Sequence, residues 1–271
     1  MRSLLKLLKL KKKQKPNKMY DIAIIGAGIA GLTAAIYAGR AGKSVIVFES
    51  GVTGGQIVES LSVRNWPGDS NISGADLMKN IEKQALDFGA KIEHTTIDKI
   101  EKDGEIWKLS GEDEAFKAKA VVIATGTVPR KMSEKQTADA GIRPISYCAT
   151  CDGALYSGKS VVVVGHGNTA KYEIKYLENI CSKVYHIHHD DPIPEDAEAI
   201  FVAIGRVPNT DVFKGLVKMD EDGYIIAGED CKTSESGIFA AGDCRTKTLH
   251  QLVTAAADGA VAATEAVKYL N

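Results

Sequence analysis

The apolar positions of this chain fall into short runs, each cut off by glycine, and the same order of runs occurs twice. Residues 21–25 read Asp-Ile-Ala-Ile-Ile, a buried-strand pattern, and stop at Gly26-Ala27-Gly28. An Ala-rich helix is predicted over 29–42 and a second strand over 44–48, ending at Glu49. Residues 160–164 read Ser-Val-Val-Val-Val and stop at Gly165-His166-Gly167, before Asn168-Thr169-Ala170. Each unit closes on another apolar run ending in glycine, at Gly126 and at Gly205. Gly26 to Gly126 spans 100 positions and Gly165 to Gly205 spans 40, so the second unit is sixty residues shorter than the first.

The remaining pattern predicts how the two units are joined. Glycine-rich loops at 54–56 and 65–68 precede a helix over 75–88, a strand over 91–94 and a meander over 97–119. The strand over 120–126 returns to the first sheet. A linker over 127–145, with Pro129 and Pro144, leads to Cys148-Ala149-Thr150-Cys151-Asp152. The second unit runs from 160 to about 235; the chain then re-enters the first sheet at 237–243 and ends in a helix over 250–269. The expected fold class is α/β and Rossmann-like, in two domains. The first covers 19–130 and 236–271, and a truncated nucleotide-binding-like domain, 131–235, is inserted into it.

The first turn sits in a context that makes Gly-x-Gly-x-x-Gly informative: strand, glycine turn, helix, strand, acid. Gly26 and Gly28 let the backbone turn tightly and approach a pyrophosphate, and Gly31 lets helix and strand pack closely. The helix N-terminus offers free N–H groups to phosphates, and Glu49 is placed to accept hydrogen bonds from ribose hydroxyls. The second unit lacks the residues that would hold the adenosine half of a nucleotide.

Composition narrows the picture further. Lys and Arg number 34 against 35 Asp and Glu, so no nucleic-acid footprint shows in the total. Five cysteines with one close pair make no disulfide scaffold and suit a cytoplasmic chain, where Cys-x-x-Cys is more often catalytic or metal-binding than structural. A zinc half-site is disfavoured because His186 and His188 follow Cys151 at unsuitable spacing. Those histidines, with His189, read as a solvated strand end, with metal binding and docking as alternatives. Cys181, Cys231 and Cys244 read as small packing residues. Residues 1–18 form a basic leader, expected to be disordered, with Met19 as the working start. A short membrane-surface helix or a basic patch for an acidic protein are the alternatives, and no segment is long enough to span a bilayer.

From Met19 onward the chain resembles the low-molecular-weight thioredoxin reductases. The resemblance is carried by Gly-Ala-Gly-Ile-Ala-Gly, Gly-Gly-Gln-Ile, Asn-Trp-Pro-Gly, Ala-Thr-Gly, Cys-Ala-Thr-Cys-Asp-Gly, Ala-Ala-Gly-Asp and the closing Gln-Leu-Val-Thr-Ala-Ala-Ala-Asp-Gly. It implies an FAD/NAD(P)-binding fold, a homodimer, and a Cys148–Cys151 pair that cycles between disulfide and dithiol. By position, FAD is expected to contact Gly26, Ala27, Gly28, Ile29, Ala30, Glu49, Gly55, Gln56, Asn65, Thr125, Gly126, Gly242, Asp243, His250, Gln251 and Leu252; His250 stands where the family usually has Arg. A flavin contact is also expected at Trp66. The same resemblance makes Cys151 the sulfur nearer the flavin, Cys148 the one that attacks thioredoxin, and Asp152 the proton donor or acceptor.

Departures from the family concern the second unit. After its strand the chain reads His186-Ile187-His188-His189-Asp190-Asp191, and no arginine lies between Arg143 and Arg206. A 2′-phosphate needs a cation, preferably a guanidinium, and adjacent carboxylates repel it. NADPH binding is therefore expected to be lost. That combination is similar to the ferredoxin-dependent flavin thioredoxin reductases, which implies ferredoxin as donor and thioredoxin as acceptor. A plant-type ferredoxin near −400 mV lies about 130 mV below thioredoxin near −270 mV, so the transfer is downhill by roughly 6 kcal/mol. An NADPH- or NADH-linked reductase and a redox-sensing flavin module without turnover are the alternative readings.

Overall fold

The computed structural model describes residues 19–60, 62–111 and 114–271, with the backbone alone at Cys151. The basic leader at 1–18 lies outside the described residues. The chain begins with β1 (Met19–Ile25), α1 (Ile29–Arg40), β2 (Val45–Glu49), α2 (Gly74–Asp87), β3 (Lys91–His94), β4 (Lys99–Asp103), β5 (Ile106–Ser110) and β6 (Ala115–Ile123). It crosses through β7 (Thr127–Pro129) to a small lobe of α3 (Glu134–Ala140), β8 (Ile145–Ser146), α4 (Ala149–Asp152), β9 (Ser160–Val164), α5 (Asn168–Glu178), β10 (Lys183–Ile187) and β11 (Ala199–Val202). It returns through β12 (Arg206–Pro208) to β13 (Ile238–Ala240) and α6 (Leu252–Tyr269).

The large sheet is ordered β3-β2-β1-β6-β5-β4, with β13 also on β6. The last strand of the predicted meander and the predicted return strand are one strand here, β6. β6 changes partner along its length: Ala115 to Ala118 pair antiparallel with β5, and Val121 to Ile123 pair parallel with β13. β1 and the second half of β6 carry near-continuous apolar runs because both faces of the sheet are covered. On one face α1, α2 and α6 pack; on the other, Trp107 and Phe48 are fully buried beneath Phe213, Val217 and Ile225. Those last residues belong to the stretch expected in the inserted domain, as do Ala227 and Cys231, yet all five lie in the large lobe's two cores. Their apolar side chains complete its surface, so we place the return crossing at β12 rather than at 235.

The small lobe has a four-stranded parallel sheet, β10-β9-β11-β8, with Val161, Val163, Phe201 and Ala149 buried on the side of α5. β7 and β12 pair antiparallel as a two-strand ribbon between the lobes. Both glycine turns are built alike. A Cβ on Gly26, at φ +105°, would meet the Ala124 carbonyl oxygen at 2.3 Å, and one on Gly165, at φ +131°, that of Ala203 at 2.2 Å. Only glycine tolerates either place.

A buried charge cluster ties α6 to the turn after β13. Asp258 accepts two hydrogen bonds from Arg245, at 2.9 and 2.7 Å, one from Lys247 at 2.8 Å and one from the Gly242 N–H at 2.9 Å. Burial alone would push this carboxyl up, but the two cations hold it below the usual carboxylate range. No helix among the described residues is long and apolar enough to cross a membrane. Removing the shared carboxylate leaves two cations uncompensated, so Asp258→Ala is expected to cost about 3–5 kcal/mol in urea unfolding.

Candidate functional site

The first glycine turn opens a cleft of about 490 Å³ at the carboxyl ends of β1, β6 and β13. Gly26, Gly28, Ile29, Ala30, Glu49, Gly55, Gln56, Thr125, Gly126, Gly242, Asp243, His250, Gln251 and Leu252 all line it. Two of the expected residues are not among the lining. Ala27 is buried and donates its N–H to Glu49 Oε2 at 2.8 Å, while Gly51 N–H holds Oε1 at the same distance, which fixes that carboxylate at the rim. Asn65 Nδ2 donates to Gln251 Oε1 at 2.9 Å and so braces the far edge. Trp66 packs against the helix-side core and does not line the cleft. Sequence reasoning passed over Gly54, Ile57, Ala124, Thr127, Ala241 and Ala255 in the lining; all but Thr127 lie within the motifs that carry the resemblance and were within reach of it.

The lining fits a flavin dinucleotide. Gly28 and Gly126 each leave open space where a Cβ would be, so backbone is exposed to a ligand there. The N-terminus of α1 points into the cleft behind Gly28, offering unpaired N–H groups to a pyrophosphate. Thr125 Oγ1 and Asp243 Oδ1 are buried without hydrogen-bond partners, and burial pushes the Asp243 carboxyl up. Two orphaned polar atoms in one apolar wall are groups waiting for a polar ligand. The last helix begins at Leu252, not at 250. Gln251 is its N-cap, bonded reciprocally with Thr254, which frees His250 to stand at the cleft beside Tyr224.

The redox motif lies in the small lobe, outside this lining. Cys148 is half-buried and disulfide-bonded. Its N–H donates to Ser146 Oγ at 3.1 Å, and that hydroxyl donates to Asp152 Oδ2 at 2.7 Å. A single serine thus orients both the cysteine and the carboxylate of the motif. Gly153 lets the motif press onto α5, since a Cβ there would meet Leu177 and Tyr176 at 3.0 Å. The other three cysteines are free thiols. Burial raises Cys231 to about 12 and Cys244 to about 11, and it raises Cys181 as well, so none of these three is poised as a thiolate.

The second glycine turn has a different guest. His186 and His188, expected as a solvated strand end, are exposed but not dispersed: the His166 ring lies 4.1 Å from that of His186 and 3.3 Å from that of His188. His186 Nε2 is 2.6 Å from the Gly165 carbonyl oxygen. Asp191 accepts the His188 N–H at 2.8 Å, and Gln136 reaches the carbonyls of both residues, so the loop is pinned over the turn. Desolvation and its two histidine neighbours lower the His166 pKa, which keeps that ring neutral near pH 7. Among the described residues no group of three or more His, Cys, Asp or Glu side chains could hold a metal ion.

Comparison with known proteins agrees with this geometry. Residues 20–195 and 190–259 match the model of the pyridine nucleotide-disulphide oxidoreductase family. A thioredoxin reductase of Peptoclostridium acidaminophilum is 37% identical over 307 aligned positions, covering 93% of this chain and 98% of that protein. The alignment is longer than this chain of 271 residues, so the relative carries segments that this chain lacks. Among solved structures, the thioredoxin reductase of Lactococcus lactis in its FR conformation superposes with a TM-score of 0.83 at 30% identity, covering 93% of this chain and 99% of that one. A ferredoxin-flavin thioredoxin reductase of Clostridium acetobutylicum gives 0.61 at 28% identity, covering 93% and 98%. A cleft whose lining fits a flavin dinucleotide, a disulfide-bonded cysteine next to a short helix and these likenesses together place the chain in the pyridine nucleotide-disulphide oxidoreductase family, among the thioredoxin reductases.

Proposed function

We propose that this protein reduces thioredoxin with electrons delivered by a ferredoxin, and that its second nucleotide site no longer serves NADPH. The observation that carries this reading is the histidine stack on the second glycine turn. Three imidazoles and the pinned 188–191 loop stand where a pyrophosphate would approach the N-terminus of α5. Asp190 and Asp191 add negative charge to the loop, and no arginine between 143 and 206 offers a guanidinium to a 2′-phosphate. The likeness to both kinds of thioredoxin reductase leaves the donor to be argued from these residues.

FAD in the first cleft would supply the conversion of single electrons from an iron–sulfur protein into the pair that a disulfide takes up. Asp243, Thr125 and Glu49, with the N–H groups opening α1, would hold it. The disulfide of Cys148 is assigned to Cys151, the cysteine of α4. Cys151 is assigned the sulfur facing the flavin, and Cys148 the one that attacks thioredoxin. Asp152, held by Ser146, is placed to give a proton to the leaving thiolate or to take one from it. Dimerisation and a cytoplasmic location complete the reading by analogy with the family.

A second reading has its own support. The second turn keeps its glycine geometry intact, with Gly165 pressed on Ala203 as Gly26 is on Ala124. That favours residual binding of a nucleotide without a 2′-phosphate, with Asp190 or Asp191 on the ribose. Anaerobic mixing separates the readings. Bleaching of the bound flavin by reduced ferredoxin, followed by thioredoxin reduction, is expected; bleaching by stoichiometric NADPH or NADH would overturn the ferredoxin assignment. Cys148→Ser is expected to abolish thioredoxin reduction while leaving flavin bleaching intact, and turnover surviving in this variant would refute its role.

A further inference from the structure

Beneath the redox helix lies a carboxyl group that the reading above does not use. Glu173, on α5, is 7% exposed. It accepts a hydrogen bond from the N–H of Ala149, the residue after Cys148 and the first of α4. Its Oε2 is buried without a partner. The surroundings are apolar: Ala149, Ala170, Leu177 and Phe201 share one core cluster.

We propose that Glu173 is a positioning residue that couples proton uptake to reduction of the Cys148 disulfide, through the N–H of Ala149. The proposal rests on the reading of Cys148 and Cys151 as the redox pair. Free N–H groups at a helix N-terminus favour a thiolate there. A carboxylate that captures one of them withdraws a donor and sets a like charge under the place where the thiolate forms. Reduction breaks the S–S bond, takes two electrons from the reduced flavin and, with one proton, leaves one thiol and one thiolate. Two negative charges in one apolar pocket raise each other's proton affinity. Glu173 therefore takes a second proton from solvent. When the thiolate attacks an acceptor disulfide and the Cys148 disulfide closes again, Glu173 gives this proton up. Two electrons and two protons then reach the acceptor dithiol.

Burial pushes the Glu173 carboxyl up to about 7, opposed by the Ala149 N–H, so its charge is decided within the working range. The groups around it are engaged elsewhere. From α4, Asp152 is bonded to Ser146; from β10, Lys183 and Tyr185 bond Asp196, and His186 bonds Gly165; β9 brings no titratable side chain. On α5 itself Lys171, Tyr172, Lys175 and Glu178 are exposed, and Tyr176 is half-buried.

The test is the midpoint potential of the Cys148 disulfide in the flavin-loaded protein, set with dithiothreitol buffers from pH 5.5 to 9 and read by thiol alkylation. Glu173→Gln is expected to match the natural protein below pH 7 and to be more readily reduced above it. The gap should open by up to tenfold in the equilibrium per pH unit until the reduced-state titration ends, about 30 mV for a two-electron couple. Parallel profiles at all pH would overturn the coupling, whereas a Cys148 that never exchanges with dithiothreitol would sink the redox-pair reading instead. Stability gives an independent check on the oxidised protein. The folded-state pKa lies above the ordinary value of 4.5, so the natural protein binds the extra proton and loses stability as pH rises from there to about 7. Glu173→Gln should escape that loss, worth up to about three-hundredfold in the folding equilibrium; an unchanged pH profile would refute titration of Glu173. Should the variant fail to fold, infrared difference spectra of the natural protein at pH 7.5 decide. A carboxylic C=O band gained on reduction and kept in Asp152→Asn supports the proposal, and its absence overturns it.

Discussion

The structure depends on how closely a helix can be brought to the end of a strand. A Cβ on Gly31 would stand 1.8 Å from the Gly26 carbonyl oxygen, so α1 rests directly on the turn that precedes it. Because of that contact, the N-terminus of α1 faces the cleft and not a side chain. α6 closes in behind by the same means, since a Cβ on Gly259 would lie 2.1 Å from the Ala30 carbonyl oxygen. The binding wall is thus made largely of backbone, and its few polar side chains stand out against it.

In the small lobe the same constraint has been kept and its use altered. Gly165 repeats the strain of Gly26, but the position matching Gly31 is the buried Ala170, and imidazole rings lie over the turn. A positively polarised helix end attracts an anion if one can reach it. Here imidazole rings and a carboxylate-bearing loop cover the approach, while the far side of the same helix carries Glu173 toward the redox motif. One helix therefore faces the imidazole-covered turn on one side and the Cys148 motif on the other.

Much of this was legible in the residues themselves. The strand–turn–helix units, and Gly26, Gly28 and Glu49 at the cleft, follow from the glycine turn and its context, because a backbone that must approach phosphate closely leaves a mark that side chains cannot disguise; the other eleven expected residues that line it came from the resemblance to the thioredoxin reductases. Trp66, expected as a flavin contact, packs on the helix-side core, because an aromatic next to a motif can equally be core. The return boundary was misplaced because Phe213, Val217 and Ile225 lie far along the chain from the strands they cover, and local pattern holds no record of which sheet an apolar residue will meet. Glu173 was invisible for a related reason. Nothing in Lys-Tyr-Glu-Ile announces that this carboxylate, alone among its charged neighbours on α5, turns inward.

Thr127 has a double position. It lines the cleft and it also belongs to the ribbon, where it pairs with Pro208. Its carbonyl and hydroxyl oxygens accept hydrogen bonds from Gln56 of the large lobe and from Arg206 on the returning strand. The ribbon that joins the lobes is therefore also part of the cleft wall, so any shift of that ribbon is also a shift of the wall, transmitted by one threonine.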